Sequence, residues 1–216
     1  MSTLPKKSRS HTQYKTRDGV IVPEVTTIVG LMEKPAIHAW IARITKEGHD
    51  WDKYRDEMAE IGSLAHQMIL AYLKGEKVDT GDYTPNQVDL AENCYLKYLE
   101  WAKGKEIKPI LVEEPLVDAE HRFGGTPDFS GLVDGVKTLM DYKTGGVYQE
   151  AYIQACAYVH LLPTPKPERI IILGIPRTET EKFVAEEHTS YEKGWEIFRR
   201  LLEIYWLQRD GKPLSR

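Results

Sequence analysis

The sequence predicts an α/β domain in which a mixed sheet lies under helical cover. Three observations carry that prediction. Two long stretches with apolar residues at spacings of three and four precede a run of short, β-rich segments bounded by turn residues. One more β-rich segment then sits between two further helical stretches, giving the order helix, helix, three strands, helix, strand, helix. No repeat, low-complexity tract or linker interrupts the 216 residues, so one domain is expected.

The first 17 residues carry Lys6, Lys7, Arg9, Lys15 and Arg17 and no acid, without apolar residues at helical spacing. A basic, flexible arm over residues 1–17 is therefore expected ahead of a single domain over 18–216. Asp18-Gly19 reads as a turn before Val20-Ile21-Val22, and Thr26-Thr27 as the opening of a short helix to Met32. Residues 35–44, rich in Ala and Ile, form another short helix. From about Trp51 to Lys74 the residues Met58, Ile61, Ala65, Met68 and Tyr72 line one helical face. From Pro85 to about Lys103 the stripe is Val88, Ala91, Tyr95, Tyr98 and Ala102. Three strands follow: Ile110-Leu111-Val112 with Leu116-Val117, then Phe129 to Val133, then Val136 to Tyr142. Gln149 to Leu162 returns to helical spacing, Pro163 to Pro167 breaks it, and Ile170 to Ile175 is a buried strand. Phe183 to Glu187 is a weak edge strand. A last helix runs from about Tyr191 to Gln208, with Thr189 and Glu192 as a capping box and Trp195, Phe198, Leu202 and Tyr205 on its apolar face.

Composition excludes several classes of function. With 41% hydrophobic and 29% charged residues the chain is neither disordered nor fibrous. No apolar run reaches the roughly 18 residues of a membrane span. Two cysteines, Cys94 and Cys156, supply neither a disulfide framework nor the CxxC spacing of a zinc or iron-sulfur site, and the chain reads as cytoplasmic and reduced. The net charge of -4 argues at first sight against a polyanionic partner.

The stretch from Thr126 to Lys143 carries the chemistry. Asp134-Gly135 between two apolar strands signals a two-residue type I′ hairpin. Val133 then pairs with Val136, and the same register sets Asp128 opposite Asp141 on one face of the sheet. Lys143 points to that face, about 7 Å further along. Two opposed carboxylates on buried strands are destabilising unless a cation lies between them, and hard oxygen ligands select Mg²⁺ or Mn²⁺. The bland alternative has Asp128 capping its turn in solvent while Asp141 pairs privately with Lys143. A metal, carboxylates and a lysine are the parts of phosphodiester hydrolysis, in which the cation activates water and the lysine orients it or offsets the charge that develops on the phosphoryl group.

These residues resemble the PD-(D/E)XK nuclease superfamily, with Pro127-Asp128 and Asp141-Tyr142-Lys143 as its signature. Four further segments resemble the RecB-like branch, in order. They are Gly62-Ser63-Leu64-Ala65-His66 as G-x-x-x-H, Glu113-Glu114 on the preceding strand, Gly125-Thr126-Pro127-Asp128, and Gln154 to Tyr158 as Q-x-x-x-Y. The segment Val22 to Gly30 is similar to the start of phage and mitochondrial genome maintenance exonucleases. The resemblance spans about residues 20–205. It implies a restriction-endonuclease-like αβββαβ core with an N-terminal helical extension, and it implies a role for each matched position. His66, Asp128, Asp141 and the backbone carbonyl of Tyr142 would hold one or two Mg²⁺ or Mn²⁺ ions, and Lys143 would be the catalytic lysine. Glu113 or Glu114 would lie beside the metal, with Glu114 preferred for its place next to Pro115. Gln154 and Tyr158 would contact the DNA backbone or brace the lysine. Relatives that carry an iron-sulfur cluster use four cysteines, so none is expected here. The absence of GxxxxGK[ST] makes any helicase or recombination motor a separate protein.

The resemblance thus implies a metal-dependent deoxyribonuclease in phage DNA metabolism, recombination or repair, acting as an exonuclease on single-stranded ends. Two alternatives stay open: a catalytically silent nucleic-acid-binding module and a structure-selective endonuclease on the same core. Trp40 and Trp51 offer stacking surfaces for unpaired bases, although such aromatics are more often core. The charge objection weakens once the carboxylates are located, because the sum of -4 counts the ligands and omits their metal. Phosphate contacts are expected from the arm and from Arg199, Arg200, Arg209, Lys212 and Arg216.

Overall fold

The computed structural model describes residues 3–4, 12–32 and 35–210. In chain order the elements are β1 (Thr3–Leu4), α1 (Val25–Val29), α2 (Pro35–Lys46), α3 (Trp51–Lys74), β2 (Lys77–Val78), α4 (Pro85–Ala102), β3 (Ile107–Val112), β4 (Leu116–Asp118), β5 (Phe123–Gly125), β6 (Phe129–Val133), β7 (Val136–Thr144), α5 (Gln149–Leu161), β8 (Arg169–Ile175), β9 (Val184–His188) and α6 (Glu192–Asp210).

The two long helices are bounded by their own caps. The Asp50 carboxylate accepts the N–H groups of Asp52 and Lys53 at the start of α3, and Gly75, at φ 68°, closes it in a left-handed conformation that a side chain resists. Thr84 and Gln87 form a reciprocal capping box on α4, with Pro85 in its first turn. Their apolar stripes meet each other and one face of the sheet. Ile61, Leu64, Ala65 and Ile69 of α3 and Ala91 and Tyr98 of α4 are fully buried.

The central sheet has the order β3-β6-β7-β8-β9. Within this sheet, among the described residues, β7 and β8 alone run parallel, which requires a crossover, and α5 supplies it. Side-chain alternation along β8 divides the core. Ile171, Leu173 and Ile175 pack with Met140 and Tyr142 toward α3 and α4, whereas Ile170 and Ile172 pack with Leu139 toward α1, α5 and α6. Burial of an aliphatic side chain of this size contributes about 2 kcal/mol, so each face is held by many small terms. The result is the expected mixed sheet flanked by helices, a restriction-endonuclease-like α/β architecture with α1 and α2 as the N-terminal helical extension.

Three expectations need correction, and one strand was not expected. The segment read as one strand over 110–117 is two: β3 ends at Val112, the chain turns through Glu113 at φ 49°, and β4 pairs instead with β5 in a separate ribbon. The strand β5 itself, containing Gly124 and Gly125, has no apolar alternation to announce it. Residues 12–17, counted in the expected arm, lie against the domain. Tyr14 is 3% exposed, its hydroxyl lies 2.8 Å from Thr126 Oγ1, and Lys15 bridges Ile21. Lys6, Lys7 and Arg9 lie outside the described residues. Finally, Thr189 does not cap α6; the Glu192 carboxylate instead accepts the Ser190 hydroxyl at 2.7 Å and the Tyr191 N–H at 3.1 Å.

Candidate active site

The hairpin fixes the centre of the site. Asp134 (φ 52°) and Gly135 (φ 79°) are both left-handed, as a type I′ turn demands, and the ladder runs from Val133–Val136 to Phe129–Met140. Continuation of that register sets Asp128 across from Asp141. The Asp128 carboxylate turns back to accept the Tyr142 N–H at 2.8 Å. Its second oxygen lies 3.5 Å from His66 Nδ1, which α3 brings to the end of the hairpin. Glu113, at the break after β3, donates its backbone N–H to the Asp128 carbonyl at 3.3 Å.

One ligand atom from each of His66, Glu113 and Asp128 lies within 4.8 Å of the other two, a group able to hold a metal ion. The group takes in Glu113, where the sequence preferred Glu114. The left-handed turn at Glu113 directs that side chain to the cluster and leaves Glu114 exposed next to Pro115. Position in the sequence could not separate the two, because the strand break that swaps their directions has no signature beyond the proline.

Asp141 is 1% exposed, and its Oδ2 lies 2.6 Å from Lys143 Nζ. Its Oδ1 is buried and has no hydrogen-bond partner among the described residues. Burial, and then repulsion from Asp128, pushes the Asp141 carboxyl up to about 6 against the pull of Lys143. Asp128 behaves oppositely: burial would raise it, but His66, Lys143 and the Tyr142 N–H together hold it below the ordinary carboxylate value. Burial would lower His66, yet the Asp128 carboxylate beside it keeps the imidazole above its ordinary value.

This donor set fits a hard divalent cation. It joins oxygens to one imidazole, and a buried carboxylate oxygen without a donor is an acceptor that a cation would satisfy. His66, Glu113, Asp128 and Asp141 would hold it. The private pairing of Asp141 with Lys143 is present, but the solvent-facing Asp128 of that bland alternative is not, since its side chain is 16% exposed.

Lys143 separates two clefts. One, of about 390 Å³, is lined by Met58, Gly62, Ser63, His66 and Tyr142; the other, of about 210 Å³, by Thr26, Val29, Tyr148, Ala151 and Gln154. Gly62 is needed for close approach, because a Cβ there would sit 2.8 Å from Thr144 Oγ1 on the strand that carries Lys143. Gln154 donates to the Tyr158 hydroxyl at 2.9 Å. Tyr158 is 3% exposed, and Gln154 is the member of the pair that lines the cleft.

The basic residues expected to meet phosphate are otherwise engaged. Arg199 and Arg200 each pair with Glu196 and Glu203 along α6, and Arg209 donates to the Tyr205 hydroxyl. Lys212 and Arg216 lie outside the described residues. Trp40 and Trp51 pack edge to face, 4.9 Å apart, with Trp40 also 5.7 Å from Tyr54.

No protein-family model matches the chain, and no curated protein matches it. Among solved structures it is similar to the crystal structure of SSO0001, at 14% identity and a TM-score of 0.38 over 68% of this chain and 72% of that one. It is also similar to LHK-Exo in complex with dAMP, at 16% identity and a TM-score of 0.33 over 74% and 92%. A third is the alkaline exonuclease LHK-Exo from Laribacter hongkongensis, at 17% identity and a TM-score of 0.31 over 70% and 84%.

Proposed function

We propose that the chain is a divalent-metal-dependent deoxyribonuclease that hydrolyses phosphodiester bonds, acting as an exonuclease on single-stranded ends. The observation that carries the reading is the buried Asp141 Oδ1, which has no donor among the described residues, on a carboxylate whose Oδ2 lies 2.6 Å from Lys143 Nζ, with the His66, Glu113 and Asp128 ligand group at the same end of the hairpin. A stable fold has little use for a buried carboxylate oxygen that lacks a donor among the described residues, and a bound divalent cation would satisfy it.

A bound Mg²⁺ or Mn²⁺ would polarise the phosphoryl group and make a water acidic enough to attack. The residues of the chain divide the remaining work. Asp141 holds Lys143 at the end of β7, where its ammonium faces both clefts and can orient the water or offset developing phosphoryl charge. The Tyr142 N–H and His66 fix the Asp128 carboxylate. Gln154, braced by Tyr158, lines the cleft on the far side of Lys143 and supplies an amide for a sugar-phosphate backbone.

The test is cleavage of end-labelled linear and of circular DNA, single-stranded and duplex, with Mg²⁺ or Mn²⁺. Degradation of linear single strands alone supports the exonuclease; cleavage of circles replaces it with an endonuclease on the same core. Binding without cleavage under either metal would establish the silent module instead.

A further inference from the structure

Arg177, in the turn after β8, is a basic side chain that neither the signature nor the charge distribution singles out. Its side chain is 15% exposed, so burial of the guanidinium has to be compensated. Glu181 supplies one half of that compensation: its carboxylate accepts Nη2 at 2.7 Å and the Arg177 backbone N–H at 2.6 Å. The other half is poor. Nη1 points at Met58 Sδ, 2.8 Å away, and a thioether is a weak acceptor.

Position gives this mismatch its meaning. Met58 lines the 390 Å³ cleft together with Gly62, His66 and Lys143. It precedes Gly62 by four residues and His66 by eight, or about 6 and 12 Å along α3. Nη2 lies against Gly145, at φ 111°, two residues after Lys143; a Cβ there would sit 3.3 Å from it. The α4 residue Asn93 donates to the Arg177 carbonyl at 3.3 Å and steadies the turn from a third side. Arg177 thus joins the helix wall of the cleft to the loop that follows the lysine, with Nη1 held, among the described residues, by sulfur alone.

We propose that Arg177 is a phosphate-binding residue of the nucleic-acid site. Resting on the nuclease reading above, it deepens that reading by assigning a second cation, after Lys143, to the cleft wall. Its Nη1 exchanges Met58 Sδ for an oxygen of a phosphate a few nucleotides from the scissile bond, a charge-assisted bond much stronger than the one it leaves. Glu181 aims the guanidinium and balances its charge while the cleft is empty.

The test is binding of a short fluorescein-labelled oligothymidylate by anisotropy across a salt series. The full-length Lys143→Ala chain with Mg²⁺ serves as the background, so that hydrolysis does not intervene. Adding Arg177→Gln should weaken binding about tenfold and reduce the slope of log K against log salt by about 0.7, the signature of one lost contact to a single strand. Arg177→Lys should retain that slope. Adding Glu181→Gln should tighten binding at least threefold more than Glu203→Gln on α6, which removes the same charge elsewhere, and this arm decides the matter should Arg177→Gln fail to fold. An unchanged slope in Arg177→Gln, or Glu181→Gln no tighter than Glu203→Gln, overturns the assignment of Arg177 while the cleavage assay leaves the nuclease reading standing. No binding and no cleavage of any DNA overturns both.

Discussion

Replacement of Asp141 by asparagine should stabilise the metal-free protein, although the residue lies at the centre of the site. The Asp141 carboxyl is pushed up to about 6 from an ordinary 3.8, chiefly by burial and then by Asp128. That gap corresponds to about 3 kcal/mol against the ionised form at neutral pH. The sign follows from proton counting: between about pH 4 and 6 the folded chain holds a proton that the unfolded chain has lost. This group's contribution therefore falls as pH rises through that window, and its full penalty is present above it. Asparagine removes the charge but leaves a buried amide to satisfy, offsetting about 1–2 kcal/mol. Urea denaturation at pH 7.5 in EDTA should then find Asp141→Asn more stable than wild type by about 1–2 kcal/mol, with the advantage gone near pH 4. Added Mg²⁺ reverses the ranking, because wild type gains about 2.7 kcal/mol at one hundred times its dissociation constant and the variant gains little. A variant less stable than wild type in EDTA, or one stabilised equally by Mg²⁺, would refute the reasoning.

Other positions give shorter tests. Glu113→Gln should lower metal-dependent activity by about 10- to 100-fold, whereas Glu114→Gln should stay within a few-fold of wild type, as kinetics against Mg²⁺ concentration would reveal. Gly131→Ala should cost about 3 kcal/mol in urea denaturation, because the new Cβ would clash with the Lys108 carbonyl where β3 pairs with β6. His160, stacked 3.6 Å from Trp195, is pushed down to about 4 by burial and then by Lys166. Its neutral form is favoured in the fold, so its contribution is full above about pH 6.5 and is lost as pH falls toward 4. Discounted for partial exposure this is about 1 kcal/mol, and His160→Phe should flatten the stability profile over that window.

What could be read from the sequence divides along physical lines. The long helices were legible because their caps and stripes are local: Asp50 and Gly75 bound α3 within the span that the apolar spacing marks. The hairpin was legible because Asp134-Gly135 sets its own turn type, and the turn sets every pairing up to Phe129–Met140. Glu113, by contrast, depends on a strand break whose partner β5 is a glycine pair without alternation. Tyr14 depends on a hydroxyl 112 residues away in the chain. Arg199 and Arg200 counted as basic in composition, yet their neutralisation by Glu196 and Glu203 requires helical geometry and rotamers. Local chemistry was readable from the residues themselves; of the long-range pairings, that of His66 with Asp128 was legible through the family resemblance and these were not.

The most direct test of the central claim is hydrolysis of end-labelled single-stranded DNA by wild type, Lys143→Ala and Asp128→Ala, each with Mg²⁺ and with EDTA. The account predicts metal-dependent degradation by wild type, loss of at least about 100-fold in each variant, and no product in EDTA. Cleavage that persists in EDTA, or full activity in both variants, would contradict it.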